Sequence, residues 1–202
     1  MSGKGRSGMR PWKYILLAVA LLLAINALTG RRHQNTYTYP NLPAPIAREP
    51  VLVTTAGLGA EGLIVAKMCE QLNLDYDYHY QGTPADLADK ESLILVLGVS
   101  PAGISSIYTT ADDEKNRVLN LVDYAADRHI PIIVVHPGGM DRRGGLNDQL
   151  INAVVPLASY VLVAGDGDQD GLFTRLTRAR NIPLTEVAGI NELEVPLNSA
   201  FR

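Results

Sequence analysis

The sequence predicts an α/β fold: a doubly wound, mostly parallel sheet of Rossmann-like or flavodoxin-like type, carried behind an N-terminal transmembrane helix. Three observations predict it. From Val51 onward, short β-rich runs alternate with amphipathic stretches, the order that builds parallel strands joined by helical crossovers. Four of those runs are almost continuously apolar, as strands buried on both faces are. A separate apolar run near the amino terminus lies between basic residues, the arrangement of a membrane span.

Residues 14–28 read YILLAVALLLAINAL, after Lys4, Arg6, Arg10, Trp12 and Lys13 and before Arg31 and Arg32. Counted from Trp12 to Gly30 the stretch has 19 residues, close to the roughly 20 that a helical span needs. A cleaved signal requires small side chains at its A-x-A positions, and Ile25 occupies the best of these. Residues 1–30 are therefore read as an uncleaved signal-anchor. More bases precede the span than follow it, which sends the remainder outward. The expected location is the cell membrane, single-pass, with the C-terminal domain extracytoplasmic. Residues 31–50 contain Pro40, Pro43, Pro45 and Pro50 without an apolar period and read as a Pro-rich tether. The α/β domain is assigned to 51–202.

Within that domain strands are expected at 51–55, 75–80, 92–97, 131–135, 160–163 and 184–187. The second alternates Asp75, Asp77 and His79 with Tyr76, Tyr78 and Tyr80, which marks a half-exposed edge strand. Helices are expected at 59–72, 111–129, 146–156 and 170–180. Val118, Leu121, Val122 and Ala125 form one face of the second, with Thr109 or Thr110 as its N-cap and Asp112, Asp113 and Glu114 in its first turn.

Composition excludes several classes. The chain of 202 residues is 47% apolar and 19% charged, enough for a packed core and too little charge for disorder. Four of the 18 Lys and Arg and none of the 21 acids lie in residues 1–30, so the rest of the chain is net −7. A nucleic-acid partner is not expected of such a domain. The single Cys69 can form neither an internal disulfide nor a structural zinc site, and on the stripe Ile64, Val65, Met68, Cys69, Leu72 it reads as a packed, inert thiol.

Ligands of such sheets bind outside the carboxyl ends of the strands, and the loops leaving those ends are the unusual part of the sequence. They are Ala56 to Gly62, Gly98 to Ser106, His136 to Gly145 and Ala164 to Gly171, all rich in glycine or small polar residues. Gly57, Gly59 and Gly62 spell G-x-G-x-x-G, with Asp75 and Asp77 at the distance of a ribose-binding acid. An extracytoplasmic location argues against nicotinamide, and no organic cofactor is expected. Asp166, Asp168, Asp170 and Gly171 spell D-x-D-x-D-G, the opening of a calcium loop. Thr177 stands where the bidentate Glu belongs, so a full EF-hand is excluded. Calcium on Asp166, Asp168 and Asp170 is the metal reading, and Asx turns with a helix cap are the structural one. Ser100, in G-V-S-P-A-G, is spaced wrongly for a nucleophile elbow. Arg142 and Arg143, adjacent in a glycine-rich loop ahead of a helix, suit a carboxylate or phosphate. As loop-borne cations they are expected to contribute little to the fold.

The run Val51 to Ala56, the set His136, Gly138, Gly139, Arg142, Arg143 and Gly144, and Asp166 to Phe173 with DGLF at 170–173 resemble the DUF6305 family of bacterial domains. The similarity covers most of 51–197. It implies a secretion signal or anchor ahead of a compact α/β domain and is silent on chemistry. The family's first loop reads closer to TSAG with non-glycine residues after it, so Gly59 and Gly62 are individual to this chain.

The functional expectation is a membrane-tethered extracytoplasmic domain that binds a small anionic molecule at the carboxyl edge. Ser100, His136, Gly138, Gly139, Arg142, Arg143, Asp166 and Asp170 are its expected binding residues. A hydrolase or transferase using His136 with aspartates, and an interaction module with an envelope protein partner, are the alternatives.

Overall fold

The computed structural model describes residues 41–202, all within one compact unit, Tyr37–Arg202. The transmembrane helix expected in 1–30 and the first half of the expected tether lie outside the described residues. Among the described residues no helix is long and apolar enough to cross a membrane.

Six strands form one sheet: β1 (Val51–Ala56), β2 (Tyr76–His79), β3 (Ser92–Leu97), β4 (Ile132–His136), β5 (Tyr160–Ala164) and β6 (Leu184–Val187). Their spatial order is β2-β1-β3-β4-β5-β6, and every pair is parallel rather than most. That order is the flavodoxin-like one, extended by β6. The strands expected from alternation and apolar runs are the strands observed, within one residue at most ends. β2 is an edge strand with the half-exposed alternation its sequence predicts.

Period two in the strands divides the core into two layers. Leu52, Leu93, Leu95 and Val134 point to the face covered by α3 (Ala111–Asp127), α4 (Gly145–Val154) and α5 (Leu172–Arg178). Val51, Val53, Ile94, Val96, Ile133 and Val135 point to the face covered by α1 (Glu61–Gln71) and α6 (Glu194–Ser199). The stripe Val118, Leu121, Val122 and Ala125 is fully buried, and Thr110 caps its helix by accepting from the Asp113 N–H at 3.1 Å. Cys69 is buried in the α1 layer, and desolvation pushes its thiol up to about 12, which keeps it protonated and inert.

Three elements differ from expectation, among them the C-terminal helix α6, where none was expected. A short helix α2 (Pro101–Ser106) interrupts the loop read as irregular. Residues 42–50, read as tether, pack on the domain: the N–H groups of Ile46 and Ala47 both donate to Ala200 O at 2.9 Å, Leu42 N–H donates to Ser199 Oγ, and Ala47 is buried. Apolar Leu42 and Ile46 find a partner in the C-terminal helix that sequence periodicity could not supply.

Candidate functional site at the carboxyl edge

The winding of the sheet reverses between β1 and β3, so the exits of these strands open the crevice where ligands of such folds bind. Two charged side chains meet there from distant parts of the chain. Glu61 opens α1, and Arg142 ends a 3-10 turn, Gly139–Arg142, after β4. Arg142 Nε donates to Glu61 Oε1 at 2.6 Å and Nη1 leans on Val99 O at 3.4 Å. Glu61 Oε2 is buried without a partner. Two glycines make this approach sterically feasible. A Cβ on Gly138 would stand 2.1 Å from Arg142 Cγ, and one on Gly59 would stand 2.3 Å from Glu61 Oε2. Their role is close approach of side chains, not turn conformation.

Val99, just past β3, is the hub of the crevice. Its N–H donates to Asn147 Oδ1 at 2.8 Å, and its carbonyl receives Arg142. Ser100 is the N-cap of α2: its Oγ accepts from Gly103 N–H at 3.0 Å, and Pro101 follows at the first helical position.

Beneath the β1 exit lies a buried pair that sequence reading passed over. Glu114 is 1% exposed and accepts from Arg117 through both oxygens, at 2.7 and 2.8 Å. Its Oε1 also takes the N–H of Gly57 at 2.7 Å. Arg117 in turn donates to Gly82 O and Thr55 O. The first N–H of the G-x-G-x-x-G run is thus committed to the protein, and a diphosphate has no claim on it. Glu114 was legible in one respect, because it lies four residues before Val118 and seven before Leu121, on the apolar stripe of α3.

Arg143 behaves unlike its neighbour. Its side chain is 3% exposed. Nε donates to Asp148 at 2.7 Å, Nη1 to Gly167 O at 2.6 Å, and Nη1 and Nη2 together clasp Asp170 at 3.0 and 2.9 Å. Burial opposes its charge, but the bonds from Asp170 and Asp148 outweigh that and raise its proton affinity further. The Arg143 bond holds the Asp170 carboxyl below its usual range. The expectation that both arginines are loop-borne cations of little structural weight is corrected here: Arg143 is a buried tie between the β4 and β5 exit loops.

His136, at the end of β4, is fully buried. Its Nε2 faces Gly139 O at 3.0 Å, which as a carbonyl can only accept, so the proton is on Nε2. Nδ1 is buried without a partner, and the ring lies 5.1 Å from that of Phe173. Burial holds its pKa below the ordinary value.

The three aspartates of D-x-D-x-D-G do not converge. Asp166 accepts from Met140 N–H at 2.8 Å, and Asp170 holds Arg143. Asp168 accepts from the N–H groups of Phe173 and Thr174 at the start of α5. Among the described residues no group of three or more His, Cys, Asp or Glu is placed to hold a metal ion. The turn-and-cap reading therefore describes this loop. Of the expected site residues, Arg142 meets Glu61 and packs against Gly138, while Gly139 and His136 meet each other. Ser100 caps a helix beside Val99, and His136 bonds to neither Ser100 nor an aspartate.

Similarity to known proteins adds fold and family. A crystal structure of AlinE4, an SGNH-hydrolase family esterase, matches over 76% of this chain and 80% of that one, at 8% identity and a TM-score of 0.29. A mutant of the same esterase matches over the same shares at 9% and 0.29. At such values the likeness carries no argument about chemistry. No curated protein matches the chain. Residues 48–201, from just before β1 to the C-terminal helix, match the domain of unknown function DUF6305, and the chain belongs to that family.

Proposed function

We propose that this domain, held outside the cytoplasm by an N-terminal anchor, binds a small anionic ligand over the β1–β3 crevice. The observation that supports it is the set of unused donors around Val99. Arg142 engages the protein through Nε and Nη1, leaving Nη2 on a side chain that is 37% exposed. Asn147 has only its Oδ1 occupied, so its NH2 group remains a donor. Ser100 Oγ accepts from Gly103 and keeps its O–H for donation. A guanidinium edge with an amide and a hydroxyl is an oxyanion receptor, and the guanidinium supplies the charge-assisted part.

Native mass spectrometry of the purified full chain identifies what it carries. The test variant is Glu61→Gln with Arg142→Gln, which removes both charges and leaves no buried carboxylate uncompensated. It is expected to lower affinity about ten to a hundredfold, the value of one charge-assisted bond, with the fold intact by circular dichroism. Unchanged affinity would place the ligand elsewhere.

A further inference from the structure

We propose a second anion site at the opposite, amino edge of the sheet, built to take a phosphate group. A cavity of about 260 Å3 lies there, lined by Arg48, Glu91, Arg128 and His129 over Ile46 and Ile130. Neither guanidinium has an acidic partner among the described residues, although Glu91 lines the same cavity, whereas Arg117, Arg142, Arg143 and Arg202 all hold carboxylates.

Both arginines are fixed at the base. The backbone of Arg48 is clamped by the buried Ser92 hydroxyl, which accepts from its N–H at 2.7 Å and donates to its carbonyl at 2.6 Å. Arg128, the C-cap of α3, lays its guanidinium 3.6 Å over the Tyr124 ring. His129 follows with φ 56, and its N–H bonds to Ala126 O while that of Ile130 bonds to Ala125 O. This is the Schellman closure, whose left-handed position usually takes Gly or Asn. A histidine there places an imidazole in the cavity at the expense of backbone comfort. A cation at a helix C-terminus is favoured in any case, but that preference does not require Arg128 to share a cavity with His129 and with a second guanidinium, Arg48, from the segment before β1.

Two planar forks and an imidazole address more oxygens than a carboxylate offers, and Glu91 can accept from a protonated phosphate hydroxyl. A phosphate monoester matches this set, whether free or as a lipid headgroup.

The test uses the full chain in detergent, with inorganic phosphate titrated at constant ionic strength against chloride. A saturable rise in Tm is expected, weakened about tenfold or more in concentration by Arg48→Gln with Arg128→Gln and retained in Glu61→Gln with Arg142→Gln. His129→Gly keeps the test independent of folding: it should stabilise the protein by relieving the left-handed position while weakening phosphate. Dioctanoyl phosphatidic acid competing far better than glycerol 3-phosphate assigns the site to a lipid headgroup, and equal competition assigns it to a free ester. A response equal to chloride, one unchanged in the Arg48 and Arg128 variant, or one lost only with Glu61 and Arg142 overturns the proposal.

Discussion

At the scale of single residues, two adjacent arginines of one loop have separate roles. Arg143 is enclosed by two aspartates and a carbonyl, and Arg142 is half of a crevice pair. Arg143→Ala would leave Asp148 and Asp170 facing each other without a cation. A fully buried pair broken this way costs roughly 3–5 kcal/mol, and because these aspartates are 35% and 50% exposed the expected loss is about 2 kcal/mol in urea unfolding. His136 gives a pH signature. Burial depresses its pKa in the folded state below the ordinary 6.5, so the unfolded chain takes up the proton first. Its stabilising contribution is complete above pH 6.5 and is lost as pH falls from there toward the folded-state value. Unfolding free energy should therefore decline below pH 6.5, and His136→Phe should flatten that decline. The depressed Asp148 and Asp170 carboxyls act below their ordinary 3.8.

Among the elements, the acidic loop between β5 and α5 shows how one pattern serves two physical ends. Carboxylates at alternate positions can gather round a cation or can each find a separate donor. Here Asp168 takes the N–H groups of Phe173 and Thr174 in the first turn of α5, and Asp170 takes that of Leu172 at 3.2 Å. Asp168→Ala is expected to lower stability by about 1–2 kcal/mol, as loss of a cap does, and the wild-type Tm should not move with millimolar calcium. A calcium-dependent rise abolished by the same substitution would restore the cation reading. The helix α2 carries a similar lesson. Ser100 followed by Pro101 is an N-cap and first-turn signal, and glycine content masked it because Gly103 lies within the six residues that form the helix.

For the whole molecule, the anchor and the domain make separate claims. If residues 1–30 hold the domain outside the cytoplasm, a reporter fused after Arg202 will be active only there, and the mature protein will retain its first 30 residues. A cytoplasmic reporter reverses the orientation, and an N-terminus near Thr29 establishes cleavage. Residues 42–50 continue the domain itself, since Ile46 and Ala47 close onto Ala200, so deletion variants of the domain have to begin before them.

What the sequence by itself determined is the part governed by period. Among the described residues, apolar runs and alternation placed six strands and four of the six α-helices, because burial on two faces or one imprints itself locally on the chain. Strand order, the parallel sense of every pair and the partners of the charged residues were decided only by the tertiary structure. Glu61 and Arg142 are 81 positions apart, and the glycines that admit them, Gly59 and Gly138, carry no sign in the sequence of what they must let past. A pattern along the chain records which surface a residue covers; it does not record what lies on the other side of that surface.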